Sequence, residues 1–210
     1  MVLEIKDIKT ESEFISAIED VPDVNIILED GWNLLMYAVF REYNNAVNIL
    51  IDKNVEVSFC SDSDGLTPLH LAVMNEDFSI VSTLIENSMV AKNEKDLENG
   101  WTPLHHACAS GNWDIIGILV YAKVNAKIYD NNRALPLSYA TEHYHNDEIS
   151  ENSEIYFDLI KMSNKTLFSR DKSEDSLDFN SKSKAFIDAP IDEIPISNMD
   201  ETLELISMIL

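Results

Sequence analysis

Two near-identical octapeptides govern what this chain can fold into. Gly65-Leu66-Thr67-Pro68-Leu69-His70-Leu71-Ala72 returns as Gly100-Trp101-Thr102-Pro103-Leu104-His105-His106-Ala107, 35 residues later. Degenerate copies flank them. Gly31-Trp32-Asn33-Leu34-Leu35-Met36-Tyr37-Ala38 stands 34 residues before the first, and Arg133-Ala134-Leu135-Pro136-Leu137-Ser138-Tyr139-Ala140 stands 33 residues after the second. Self-similarity at such a period means a stack of small units, because one unit cannot bury its own apolar face.

The octapeptide has a local physical reading. Gly65 and Gly100 permit positive φ in the turn before a helix. Thr67 and Thr102 suit the N-cap, where a hydroxyl takes an orphan backbone N–H. Pro68 and Pro103 then fall at the first helical position, where a missing N–H costs nothing. Leu69, Leu104, Ala72 and Ala107 would face neighbouring helices. A second apolar set follows each motif: Ala46, Val47, Leu50; Ile80, Val81, Leu84; Ile115, Ile116, Leu119. Its leucine lies 12 residues after the motif alanine in all three units, which sets the register independently.

These motifs resemble the ankyrin repeat, with its T-P-L-H-x-A core, over Phe14 to Met162. The resemblance implies an all-α solenoid of helix-turn-helix units with hairpin-like turns. Residues 1–28 read as an N-terminal capping half-repeat built on Phe14, Ile15, Ala17 and Ile18, ended by Pro22. Four repeats follow at about 29–61, 62–96, 97–129 and 130–162. Departures are informative. The turn between paired helices favours Gly for its left-handed position, but the aligned residues are Glu42, Glu76, Gly111 and Tyr144. The second helices should end near Asn54, Ser88 and Lys123, where Gly is usual, so a stack of modest stability is expected. The segment between Val90 and Asn99 reads as a connector slightly longer than standard. In the fourth unit Arg133 replaces Gly and Leu135 replaces the capping Thr. Its second apolar set is delayed to Leu159, which implies an insertion of about seven residues.

Residues 163–210 differ in character. Positions 163–185 are rich in Ser, Lys, Asp and Asn and read as disordered. Asp200 to Leu210 could form a short amphipathic helix, too short to be stable without a surface to dock on.

Composition narrows the classes of function. The net charge of −23 opposes direct binding of nucleic acid or anionic lipid and favours a basic protein partner. Two cysteines, Cys60 and Cys108, make no disulfide framework and suit a reducing compartment. The N-terminus is no signal peptide, and no apolar run is long enough for a membrane helix. A cytoplasmic location is expected, extending to a nuclear or nucleocytoplasmic one. Ile196, Met199, Leu203 and Leu205 fit a loose export spacing.

No catalytic constellation emerges. His105-His106 and His143-Tyr144-His145 have no Cys or carboxylate at zinc-ligand spacing, and in ankyrin repeats the motif His braces neighbouring turns. Phosphate-loop and nucleophile-elbow patterns are absent. The expectation is a non-enzyme without cofactor or metal, monomeric when alone.

The resemblance also implies where a partner would meet the chain: turn tips and inner helices, the concave side. Mapped here, the tips include Glu29, Asp30, Trp32; Asp64, Leu66; and Glu98, Asn99, Trp101. The inner helices contribute Phe40, Arg41; Met74, Asn75; Ala109, Ser110; and Glu142, His143. Two apolar rows result, Trp32-Leu66-Trp101-Ala134 and Phe40-Met74-Ala109, bordered by acidic tips, so a partner with apolar and basic anchors is expected. Each Trp has a second reading, as packing between neighbouring tips. Trp113 opens a second helix and should be core.

A narrower resemblance rests on Gly31 to Ala38 followed by Val57-Ser58-Phe59. It is similar to the germ-cell ankyrin, SAM and leucine-zipper family, which scaffolds piRNA-based transposon silencing at mitochondria-associated granules. Ala185 to Leu210 would then begin a SAM domain, and unless the chain is a fragment the family's membrane attachment is not expected to transfer. Three functions therefore compete: an adaptor, an acidic inhibitor or chaperone that masks a basic partner, and a germline scaffold.

Overall fold

Capped turns and short amphipathic segments alternate along the chain, and each segment forms a helix. The computed structural model describes residues 8–19, 21–28, 31–142 and 152–167. The helices are α1 (Glu11–Glu19), α2 (Leu34–Phe40), α3 (Asn44–Asp52), α4 (Pro68–Met74), α5 (Phe78–Glu86), α6 (Pro103–Ser110), α7 (Trp113–Tyr121), α8 (Pro136–Glu142) and α9 (Ser153–Leu167). They form two layers. In the inner layer α2, α4, α6 and α8 pack in series, and in the outer layer α1, α3, α5, α7 and α9 do so. Each inner helix also packs on the outer helix that follows it. The core lies between the layers, with Leu35, Leu50, Leu69, Leu84, Leu104 and Leu119 all fully or almost fully buried. Trp113 is buried there too, edge-on to Tyr156 at 5.8 Å.

Helix starts follow the expected chemistry. Asn33 Oδ1 accepts the Met36 N–H (2.9 Å), and Thr67 Oγ1 accepts that of His70 (3.3 Å). Leu135 offers no cap, and it is buried instead.

Left-handed turns explain several departures. Glu42 (φ 57°) and Glu76 (φ 58°) occupy the interhelix position that Gly111 (φ 72°) fills in the third unit. Asn54 (φ 60°) and Lys123 (φ 55°) close the outer helices α3 and α7. There the N–H of Val55 reaches Leu50 O (3.0 Å), and that of Val124 reaches Leu119 O (3.3 Å). The expected third closure, at Ser88, does not form. α5 ends at Asn87 in an extended conformation (ψ 120°), and Val90 N–H bonds Asn87 O instead. Val90 is the buried counterpart of Val55 and Val124, reached one residue later. One extra residue therefore lies between Leu84 and Val90, and the connector from Val90 to Gly100 is also one residue longer than its counterpart from Val124 to Arg133.

The tips form a ladder. Leu97 N–H donates to Asp64 O (2.8 Å), and Asn131 N–H to Asn99 O (3.0 Å). This close approach demands glycine. A Cβ on Gly65 would lie 2.9 Å from Leu97 N, and one on Gly100 would lie 2.5 Å from Asn131 Oδ1. Arg133 holds the same left-handed conformation (φ 62°) at the last of the described tips, where no further described tip presses on it.

The N-terminal half-unit covers the first repeat. Phe14 and Ile18 are fully buried, with Phe14 stacked on Tyr37 at 5.8 Å. Glu11 has a role not visible from its own surroundings in sequence. Its Oε1 accepts the N–H of Asn45 (2.6 Å) and Ala46 (3.1 Å), so it caps α3, whose own N-cap residue Tyr43 makes no side-chain capping bond.

At the other end, α9 continues to Leu167, beyond the boundary expected at 162. Ser163 is fully buried, its hydroxyl donating to Leu159 O (2.8 Å). Ten residues separate α8 from α9 where three separate α2 from α3, which is the size of the expected insertion. Residues 168–210, with the expected terminal helix, lie outside the described residues. Among the described residues no helix is long and apolar enough to cross a membrane.

Candidate functional site

The candidate surface is the side that the inner helices and tips share. Phe40 and Met74 stand at corresponding places, the last residues of α2 and α4, and are 52% and 50% exposed. Six other large apolar side chains among the described residues are exposed too, but Phe40 and Met74 stand at the same place in successive inner helices. The tip row differs from expectation. Trp32, Leu66 and Trp101 are all more than half covered, Trp32 and Leu66 by packing against the core and Trp101 by neighbouring rings. Trp32 meets the Phe40 ring edge-on at 5.4 Å. Trp101 lies edge-on to His106 at 5.0 Å and to Tyr139 at 4.8 Å. The packing role weighed for the tryptophans is thus the geometry that Trp101 adopts.

The remaining candidates divide the same way. Arg41 turns inward, 5.5 Å from the Tyr43 ring centroid, and donates to Tyr43 Oη (3.1 Å). Asn75 donates to Val39 O (3.1 Å) and Phe40 O (3.3 Å), satisfying the end of α2. Asp64 accepts the Leu66 N–H (3.0 Å). Glu98 O accepts from Asn131 Nδ2 (3.4 Å), and the Asn99 N–H donates to Asp96 Oδ1 (2.8 Å). Ser110 Oγ donates to Ala107 O (3.1 Å). Ala109 leaves the third place on the Phe40-Met74 row small. Glu29, Asp30 and His143 lie outside the described residues, as does the side chain of Glu142.

A polar seam runs beside the apolar row, and the sequence reading missed it. Asp96 is buried, its Oδ1 accepting N–H groups of Asn99, Gly100 and Trp101 at 2.8, 2.9 and 3.2 Å. Its Oδ2 pairs with His106 Nε2 at 2.8 Å. Burial raises the Asp96 carboxyl, but the Asn99 N–H and the His106 side chain outweigh it and hold the group below the usual carboxylate range. Asp130 repeats the arrangement. It accepts from Asn132 and Ala134 N–H (both 2.8 Å), Trp101 Nε1 (3.2 Å) and Tyr139 Oη (2.5 Å). Its burial is likewise outweighed, and its carboxyl is lowered. A signal existed: Tyr37, Leu71, His106 and Tyr139 share the seventh place of the octapeptide.

The motif histidines hold units together. Thr67 N–H donates to His70 Nδ1 (3.2 Å), so Nε2 carries the proton and donates to Trp101 O (3.1 Å) in the next unit. His105 does the same between Thr102 N–H (3.1 Å) and Ala134 O (3.3 Å). Burial, partly offset by the backbone acceptor, lowers both imidazoles to about 4, so both are neutral at pH 7. Burial also pushes the Cys108 thiol up, and Cys60 and Cys108 are free.

Comparisons with known proteins agree with this architecture. The family model described as ankyrin repeats (3 copies) matches residues 11–96 and 87–151. A putative ankyrin repeat protein of Fowlpox virus (strain NVSL) is 32% identical over 51% of this chain and 32% of its own length. The tyrosine-protein kinase Shark of Drosophila melanogaster is 30% identical over 45% of this chain and 10% of its own. A probable 26S proteasome regulatory subunit, p28, of Saccharomyces cerevisiae is 32% identical over 47% of this chain and 42% of its own. The chain thus spans less than half the length of these relatives. Ankyrin repeats are protein–protein interaction modules, and on the motif, the two-layer stack and the matched family model this chain belongs to the ankyrin repeat family.

Proposed function

We propose that this chain is a non-catalytic adaptor that holds a protein partner on its concave face, centred on Phe40 and Met74. One observation carries the reading: two large apolar side chains, in register in adjacent repeats, are half exposed on a structure that buries almost all others of the inner layer. Large apolar side chains with that placement are the usual anchors of an interface. The tip acids Asp64 and Glu98 border the face and favour a partner with basic residues. A photo-crosslinking residue placed at Met74 in the full chain tests this, with Tyr121 on the outer layer as the reference position. Adducts should form from position 74 and disappear when Phe40→Ser is added. Equal labelling from both positions would sink the proposal.

A further inference from the structure

The apolar anchors have acidic companions, and the pairing repeats. Two residues after Phe40 stands Glu42, and two after Met74 stands Glu76. Both glutamates are exposed, and both hold left-handed backbone, at φ 57° and 58°. Glycine occupies that conformation without strain, whereas a side chain with a Cβ is disfavoured there. The third unit has Gly111 at this place, and there the anchor position is Ala109. The strained acid and the large apolar side chain thus occur together in two units and are replaced together in the third.

Local electrostatics point the same way. α2 and α4 direct their negative C-terminal ends at this spot, and neither carries a basic residue in its last turn. Glu76 accepts one long bond from Asn112 Nδ2 (3.4 Å). Arg41 is turned onto the Tyr37 and Tyr43 rings, and among the described residues no ion pair with a lysine or arginine offsets Glu42 or Glu76.

On this basis, resting on the concave-face reading above, we infer that the partner is a peptide segment with two large apolar side chains, each flanked by Lys or Arg. The apolar groups would lie on Phe40 and Met74 and the cations on Glu42 and Glu76. Adjacent packed helices stand about 8–10 Å apart, so the partner's two apolar–basic pairs should be spaced by roughly that distance. Charge excludes two other occupants. A second copy carries a net charge of −23, and residues 168–210 hold ten acidic against four basic side chains. Both would be repelled from an acidic face.

The test pans a random-peptide display library against the full chain and measures the best peptides by fluorescence anisotropy. Selected peptides should pair large apolar residues with Lys or Arg. Their affinity should fall about tenfold on the double change Glu42→Gln with Glu76→Gln, and more steeply in low salt than in high salt. Gln retains the side-chain size and backbone demands of Glu, so the melting temperature should stay unchanged. Peptides that require Phe40 and Met74 but ignore both glutamates would overturn the basic–apolar pairing and leave the interaction face standing. Peptides indifferent to all four residues, or no enrichment, would overturn both.

Discussion

The Trp101 indole Nε1 donates to Asp130 Oδ2 at 3.2 Å, joining the third repeat to the tip of the fourth. The same carboxylate accepts the Tyr139 hydroxyl, whose ring lies edge-on to Trp101 at 4.8 Å. One tryptophan therefore supplies both an aromatic surface and a hydrogen bond across a repeat boundary.

Trp101→Ala should lower stability by about 2–4 kcal/mol, somewhat under the range for a fully buried aromatic because the ring is partly exposed. Asp130→Asn should lower it by about 1–3 kcal/mol, since a neutral amide serves its several donors less well. Urea denaturation followed by circular dichroism measures both. An unshifted midpoint for Trp101→Ala would show that the ring does not brace the stack.

Stability should decline as pH falls from 6.5 towards 4. The unfolded chain protonates His70 and His105 near the ordinary 6.5, whereas the folded chain protonates them only near 4. Across that window the unfolded state binds more protons, so the stabilisation present above 6.5 is lost on acidification. Each histidine contributes at most about 3 kcal/mol. Protonation of the many carboxylates relieves self-repulsion and acts in the opposite direction, so a variant must isolate the effect. His70→Gln should be less stable at pH 7 yet lose less between pH 6.5 and 4. Parallel curves for the two proteins would remove His70 from the account.

Leu104 is almost fully buried between two neighbouring units, while Tyr121 is 72% exposed on the outer layer. Leu104→Ala should cost about 2–5 kcal/mol and Tyr121→Ala no more than about 0.5 kcal/mol. Similar melting temperatures for the two variants would contradict the assigned core.

Relieving the turn strain should stabilise the fold. Glu42→Gly and Glu76→Gly remove a Cβ from left-handed backbone, and each should contribute about 0.5–1 kcal/mol. The gain is smaller than the full strain because glycine also loosens the unfolded chain. A calorimetric melt that shows both variants less stable would mean that the glutamate side chains support the turns in a way the backbone does not reveal.

The sequence alone determined the period, the helix starts and the core register. Asn33 and Thr67 with its His70 act within three residues of themselves, so their chemistry is legible without neighbours. Even the size of the insertion before α9 followed from counting to Leu159. Tertiary structure alone decided how one unit meets the next. Glu11 caps a helix 34 residues away, and Trp101 finds Asp130 at a separation of 29. The position of the extra residue before Val90 likewise depended on which side chain the stack buries. Such pairings arise from the rise and angle between stacked units, which fold geometry sets and local propensity does not. For the same reason the two apolar rows looked equivalent as sequence. Neighbours cover more than half of Trp32, Leu66 and Trp101, while Phe40 and Met74, at the ends of their helices, are about half exposed.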